Sequence, residues 1–119
     1  MTNGQFLTAS YYAEIAMGSK QKQLKFSTLR KLLDFSKLRQ ELLKKYAEIE
    51  TVGKEKEFSE EEITENQNEF LLEEFKEDFN PIYANTVDNL ENEELPVGEN
   101  TVNIMNCLFI MLENKLIKE

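Results

Sequence analysis

The clearest pattern of apolar and polar positions along the chain lies in residues 27–49. Apolar side chains recur there at steps of mostly three or four residues, which places them along one side of a helix for about six turns. They are Leu29, Leu32, Leu33, Phe35, Leu38, Leu42, Leu43, Tyr46 and Ile49. No proline or glycine interrupts the run, and Ser27 is placed to cap its start. The pattern predicts one long amphipathic helix.

A shorter helix is predicted before it, over residues 3–17, where the apolar positions also fall near helical spacing. Thr2 and Gln5 have the separation of a capping box, in which each side chain accepts from the backbone of the other residue. Gly18 follows the last turn and is a natural left-handed stop.

A third helix is predicted over residues 59–78, after a hinge at residues 51–58 that contains Gly53. Ser59 and Glu62 have capping-box spacing, and several glutamates in the first turns suit the positive end of the helix dipole. The Asn-Pro pair that follows residue 79 ends the helix.

The C-terminal third has a mixed pattern. The tripeptide Ile82-Tyr83-Ala84 fits either a short extended piece or a poor helical turn, and residues 91–98 contain a proline and a glycine and are predicted to be a loop. A last helix is predicted over residues 100–117. Its apolar residues cover more than one face, which is typical of a helix in the core or at an interface.

These elements predict a mainly α fold, with residues 1–119 forming a single helical domain. The simplest arrangement is an antiparallel hairpin of residues 27–49 against residues 59–78, with their apolar stripes facing each other. The first and last helices then pack on this spine, across one end. One short extended segment fits this fold at residues 82–84.

The charges are distributed unevenly. The chain has 14 basic and 23 acidic residues, for a net charge of −9. Nine basic residues stand against two acidic ones between Lys20 and Lys45, whereas 18 acidic residues stand against three basic ones between Glu48 and Glu99. Opposite charges are therefore expected to flank the seam of the hairpin, where they set register more than stability.

Composition excludes several classes of site. There is no histidine and only one cysteine, Cys107, so a Ser–His–Asp triad, a Cys₂His₂ zinc site and an intrachain disulfide are all excluded. No glycine-rich phosphate-binding motif occurs, and Cys107 lies in an apolar segment with no base nearby in sequence. No catalytic, metal-binding or cofactor-binding residue is predicted, and Cys107 is expected to be a buried structural thiol.

The sequence also predicts the compartment in which the protein is located. The first residues have neither the basic nor the apolar region of a signal peptide, and the most apolar run, residues 104–112, is far shorter than the ~20 residues of a membrane span. With one thiol and no export signal, the expected compartment is the cytoplasm, without a membrane role.

Two surfaces are candidates for protein contacts. The first is an acidic face whose glutamates are four residues apart, namely Glu61, Glu65, Glu69 and Glu73. A solvated or internally paired face, a mimic of nucleic acid and a weak divalent-cation site all fit this spacing. The second is the last helix, with interface candidates Ile104, Met105, Leu108, Met111 and Leu112. Met105, Phe109 and Met111 are expected mainly in the core, and any exposed part of them would mark an interface.

The basic segment, Lys20 to Lys45, could contact phosphate groups or an acidic protein. Only Phe26 and Phe35 are interleaved with its charges, and both are better suited to the core. Together with the negative net charge, this favours a solvated or internally paired face, and nucleic acid is not an expected partner.

The chain resembles a family of small uncharacterised proteins encoded by tailed phages of Gram-positive bacteria. The resemblance rests on Leu42-Leu43-Lys44-Lys45-Tyr46-Ala47-Glu48, on Gly53-Lys54 after it, on the acidic helix that follows, and on the apolar residues 104–112. It implies a phage context, in which small acidic helical proteins join the particle, assist its assembly or block a host system. It implies no site residues.

Together these observations predict a non-enzymatic interaction protein that acts in phage particle structure or assembly through protein–protein contacts, with no cofactor. The alternative is an acidic inhibitor of a host defence or nucleic-acid-processing protein. The partner is either a second copy, which would give a homo-oligomer, or a host protein. The expected location is the bacterial host cytoplasm, with association with the virion left open.

Overall fold

The computed structural model describes all of residues 1–119 and is mainly helical. The four helices are α1 (Asn3–Ala16), α2 (Phe26–Glu55), α3 (Glu60–Leu72) and α4 (Ile104–Glu113). The four short strands are β1 (Ile82–Tyr83), β2 (Glu94–Val97), β3 (Asn100–Asn103) and β4 (Ile117–Lys118). The predicted fold class, mainly α with a short extended segment, is confirmed.

Helix α1 occupies the centre of the molecule, because it contacts each of the other three helices. Its buried residues are Phe6, three alanines (Ala9, Ala13 and Ala16) and the polar Asn3 and Ser10. Alanine side chains let neighbouring helices approach closely. The predicted capping box is present, since the backbone amide of Gln5 donates to Thr2 Oγ1 and the backbone amide of Thr2 donates to Gln5 Oε1. Helix α1 meets α3 at its last turn, where the Asn3 side chain donates to the Phe70 carbonyl at 2.8 Å.

Helices α2 and α3 form an antiparallel hairpin. Gly53 contacts Ile63 next to the turn, and farther along the seam the rings of Tyr46 and Phe70 are 6.3 Å apart. Ser59 is the N-cap of α3, as predicted, and its Oγ accepts from the Glu62 amide at 3.2 Å.

The turn between α2 and α3 is shorter than the predicted hinge, because α2 continues helically to Glu55. It is closed by two backbone bonds, in which the Phe58 amide donates to the Gly53 carbonyl and the Glu57 amide donates to the Lys54 carbonyl. Glu57 has a φ of +59°. This is a Schellman motif, which satisfies the last carbonyls of a helix, here with glutamate in place of the usual glycine.

Helix α3 ends at Leu72, six residues before the predicted end at residue 78. The chain after it pairs with the N-terminus, since the Asn3 amide donates to the Glu73 carbonyl and the Phe75 amide donates to the Met1 carbonyl, both at 2.9 Å. The extended segment also brings Phe75 onto Phe6, with ring centroids 3.9 Å apart. Here long-range backbone pairing and aromatic packing override the helical spacing of the local sequence.

The aromatic packing continues at Phe79. Its ring lies 5.9 Å from Phe6 and meets Phe35 edge-on at 5.5 Å between centroids. Residues on α1, α2 and the segment after α3 therefore share one aromatic cluster in the core.

The C-terminal third contains more extended structure than predicted. β2 and β3 form an antiparallel hairpin turned at Gly98, which has a φ of +62°, so the predicted loop at residues 91–98 is partly a strand. β1 pairs in parallel with β4, Ile82 opposite Ile117, which confirms the short extended segment. Helix α4 runs only from Ile104 to Glu113, because its flanking residues are used in β3 and β4.

Two predicted helix boundaries are also corrected. Lys25, not Ser27, is the N-cap of α2, and it makes no side-chain capping bond. Gly18 follows α1 but has no left-handed backbone, since Gly98 is the one glycine with a positive φ.

Gly53 sets the spacing of the hairpin, which generates the first prediction. A Cβ added at this buried glycine would lie 2.6 Å from Ile63 Cγ1. We expect Gly53→Ala to lower the free energy of unfolding by about 1 kcal/mol, because the overpacking penalty exceeds the gain in helix propensity. Urea denaturation measures this change. In an Ile63→Ala background the same substitution should become neutral or stabilising, and additive effects would contradict the proposed contact.

Glu93 joins the α1–α2 loop to β2 and generates a prediction on pH. Its carboxylate accepts from Ser19 Oγ at 2.6 Å and from the Lys20 amide at 3.0 Å, and these bonds hold its pKa below the ordinary value of 4.5. A lowered folded-state pKa contributes stability above the unfolded-state pKa, and this contribution is lost as the pH falls through the folded-state pKa. Glu93→Gln should therefore destabilise the protein at neutral pH, with a smaller difference from wild type near pH 3. The control Glu94→Gln should show no such convergence in urea titrations at both pH values, and a Glu93→Gln difference constant with pH would contradict the prediction.

Candidate functional site

Helix α4 has two unequal faces. Ile104, Cys107 and Met111 are fully buried, and Leu108 is nearly so. Ile104, Leu108 and Met111, which the sequence marks as interface candidates, therefore belong to the core, where α4 packs on α1. A helix apolar around most of its circumference can serve both as core and as surface, and only packing decides which side is which.

The outer side of α4 carries exposed apolar residues. Phe109 is 62% exposed and Met105, four residues earlier, is 39% exposed, so they are neighbours on the same face. The expectation that both are mainly core residues is wrong. Leu112, the remaining candidate on this helix, is half-buried beside them. Met105 and Leu112 thus remain available for contact.

These side chains form one wall of an apolar groove of about 190 Å³. The opposite wall comes from the 3₁₀ turn after β1 and from β4. Seven of the eight lining residues are apolar: Ala84, Val87, Met105, Leu108, Phe109, Leu112 and Ile117, with Asp88 as the eighth. We call this the α4 groove.

The chemistry of the α4 groove is that of apolar burial. Asp88 is exposed and supplies its one charged group, and the lining has no hydroxyl, amide or basic side chain. Methionine and phenylalanine adapt well to irregular apolar partners, and a phenylalanine at the centre of a contact is a common anchor. The arrangement suits insertion of one or two apolar side chains from another protein.

The sequence predicts part of this groove. The apolar pattern of α4 indicated Met105 and Leu112, whereas Ala84, Val87 and Ile117 join them only because β1 pairs with β4. No local signal in residues 82–90 indicates that they face the last helix.

The acidic face of α3 lies apart from the groove. Glu61, Glu65, Glu69 and Glu73 are all exposed, and none forms an ion pair. The two ion pairs in the molecule join Arg39 to Glu14 and Lys54 to Glu50. The predicted charge pairing across the α2–α3 seam is therefore absent at contact distance, and the seam is held by apolar contacts.

Two basic residues of α2 lie against parts of the chain other than α3. Arg39 packs against α1, where its guanidinium lies over the Tyr11 ring, and Lys31 lies over Tyr83 and donates to the Pro81 carbonyl. Of the two phenylalanines in this segment, Phe35 is buried as expected but Phe26 is exposed, which corrects the expectation that both lie in the core.

Cys107 is buried, as predicted. Removal of the thiol from water raises its pKa to about 11, so it is protonated at neutral pH. Nowhere does the structure bring together three acidic or thiol side chains that could hold one metal ion.

Comparison of the chain with protein-family models, with curated proteins and with solved structures gives no match. None of its helices has both the length and the apolar character that crossing a membrane requires. The surface geometry described above is therefore the basis for a functional proposal.

Proposed function

We propose that this protein is a non-enzymatic interaction protein that acts in the structure or assembly of a tailed-phage particle through protein–protein contacts. The observation that carries the proposal is the α4 groove, in which Phe109 is largely exposed beside an almost wholly apolar cavity. The phage context comes from the family resemblance of the α2 segment and the apolar last helix.

An exposed phenylalanine next to an apolar cavity supports protein binding on energetic grounds. Burial of apolar surface contributes roughly 25 cal/mol per Å², and an aromatic anchor that enters a desolvated contact often dominates the binding energy. Met105 and Leu112 extend the apolar surface on both sides of Phe109 along the helix. An apolar helix or loop of a partner protein is the ligand that this chemistry fits.

The same chemistry supports the non-enzymatic part of the proposal. The α4 groove contains one titratable side chain, Asp88, and no nucleophile or base beside it. The single thiol, Cys107, is buried and protonated. General acid–base or nucleophilic catalysis requires such groups within hydrogen-bond distance of each other.

The test is loss of a partner on polar substitution in the groove. Phe109→Asp should remove binding while leaving the thermal midpoint within a few degrees of wild type, because the side chain is already exposed. Affinity-tagged wild type is recovered from phage-infected host cells, and its partners are identified by mass spectrometry and rebuilt from purified components. Val52→Asp, at another exposed apolar residue, is the matched control and should retain the partner.

The proposal is supported if the partner is a particle or assembly protein whose binding Phe109→Asp weakens at least about tenfold, a loss of about 1.4 kcal/mol. It is contradicted if Phe109→Asp binds like the control, or if no particle protein is bound.

A second candidate function rests on the acidic face of α3. Its four glutamates are exposed and form no ion pair, which is the arrangement that an acidic inhibitor of a host defence or nucleic-acid-processing protein would present to a basic groove. Under this function, recovery from infected cells identifies such a host protein.

Charge reversal tests the second candidate. Reversal of the four glutamates to lysine should abolish binding of the host protein, because like charges would then face each other. Phe109→Asp should leave that binding intact, so the two functions are separated by which variant loses the partner. The variants are Glu61→Lys, Glu65→Lys, Glu69→Lys and Glu73→Lys, made together.

A further inference from the structure

The side of α2 that faces away from the core carries alternating apolar and basic residues. Phe26 is 75% exposed and Leu33, seven residues later, is 43% exposed. Arg30, Lys37 and Lys44 are exposed and follow the same seven-residue spacing. At 100° per residue these five side chains lie about half a turn from the buried Leu32 and Phe35. We call them the basic outer face of α2.

The side of α3 that faces away from α2 has the opposite charge. Glu61 and Glu65 lie about half a turn from the buried Ile63, and Leu72, 76% exposed, is at the end of the same face. Glu69 lies outside this face, because it lines a groove between α3 and α2 together with Lys45. We call Glu61, Glu65 and Leu72 the acidic outer face of α3. Like the basic outer face of α2, it combines charge with an exposed large apolar side chain.

The two outer faces cannot meet within one molecule. Where the helices touch, Gly53 of α2 contacts Ile63 of α3, and each outer face lies on the far side of its own helix from that contact. No residue of either face takes part in the two ion pairs of the chain. Each face therefore has no ion pair at contact distance inside the fold.

We infer that copies of this chain associate head to tail, with the basic outer face of α2 against the acidic outer face of α3 of a second copy. This inference concerns surfaces other than the α4 groove and does not rest on the proposed function. Two different faces meet in such a contact, so each added copy leaves one face of each kind free, and the product is a ring or an open row.

The energetics assign separate roles to the two kinds of side chain. Exposed ion pairs contribute little affinity each but select the partner and its orientation. Phe26, Leu33 and Leu72 supply the apolar surface that leaves water on association, since they are large side chains with substantial exposure. Because the charge pairs are at the surface, salt should weaken the contact.

The exposed apolar residues of the basic outer face of α2 also favour a protein over a nucleic acid as its partner. Phosphate backbones are bound by basic and polar groups, and single strands by several stacked aromatic side chains. The basic outer face of α2 offers one aromatic residue and a leucine, and Glu41 lies beside it. An acidic protein face fits this composition better, and α3 provides one on every copy.

Neutral variants of each face provide the test by sedimentation velocity and light scattering. Variant B, which neutralises the basic outer face, carries Arg30→Gln, Lys37→Gln and Lys44→Gln. Variant A, which neutralises the acidic outer face, carries Glu61→Gln and Glu65→Gln. At about 50 mM salt the wild type should exceed the dimer mass at high concentration, and at about 500 mM it should return towards monomer. Each variant alone should remain monomeric.

An equimolar mixture of the two variants gives the sharpest result. Variant B keeps its acidic face and variant A keeps its basic face, so together they should form a dimer and nothing larger. Phe26→Ala should weaken wild-type association several-fold without shifting the thermal midpoint, because the side chain is exposed.

Controls with the same change in charge use exposed residues elsewhere and should associate like wild type. The basic control carries Lys56→Gln, Lys76→Gln and Lys118→Gln, and the acidic control carries Glu77→Gln and Glu99→Gln.

Three results would overturn the inference. The first is a wild type that stays monomeric at low salt and millimolar concentration. The second is a mixture of variants A and B that fails to dimerise. The third is a wild type that binds a DNA or RNA fragment through the basic outer face without self-association, which would assign that face to nucleic acid.

Discussion

Burial of the small-residue face of α1 is the constraint on which the rest of this structure depends. Because Ala9, Ala13 and Ala16 occupy little space, α2 and α4 can both pack closely on the same short helix. Phe6, on the same face, receives Phe75 in a stacked contact and so holds the segment after α3. That segment pairs with Met1 and Asn3, which joins the first and middle parts of the chain.

The central position of α1 determines which sides of α2 and α3 are exposed. α2 buries only one narrow side, leaving the opposite side, with its basic residues, in water. α3 contacts α2 mainly through Ile63 and Phe70, so Glu61 and Glu65 face outward, whereas Glu69 lines the groove between the two helices. The outward-facing charges of α2 and α3 are therefore exposed on the molecular surface, where they can contact other molecules. The hairpin itself is held by steric fit at Gly53 and by apolar contacts.

The α4 groove arises from the same packing. Once α4 places Ile104, Cys107 and Met111 against the core, the remaining apolar residues of the helix must face outward. The pairing of β1 with β4 then positions Ala84 and Ile117 opposite them, which turns an exposed apolar helix face into a cavity with two walls. A surface built in this way supports binding of an apolar segment. It is separate from the charged outer faces of α2 and α3, so the two surfaces can act independently.

The sequence by itself determined the features that depend on neighbours in the chain. The three- and four-residue spacing of apolar side chains gave the first three helices, and Thr2 and Ser59 marked two helix starts through local capping bonds. The exclusions drawn from composition required no structure. The spacing of Glu61 and Glu65 placed them on one face of α3, whereas Glu73, predicted on the same face, lies beyond the end of the helix.

Only the tertiary structure decided the features that depend on residues far apart in sequence. The end of α3 at Leu72 requires the N-terminus as a pairing partner, and the strands at residues 82–83 and 117–118 require each other. Which side of α4 is core, and so whether Met111 or Phe109 is exposed, depends on where α1 lies. Local periodicity describes the faces of a helix but carries no information on which neighbour covers each face, because that is set by the free energy of packing the whole chain.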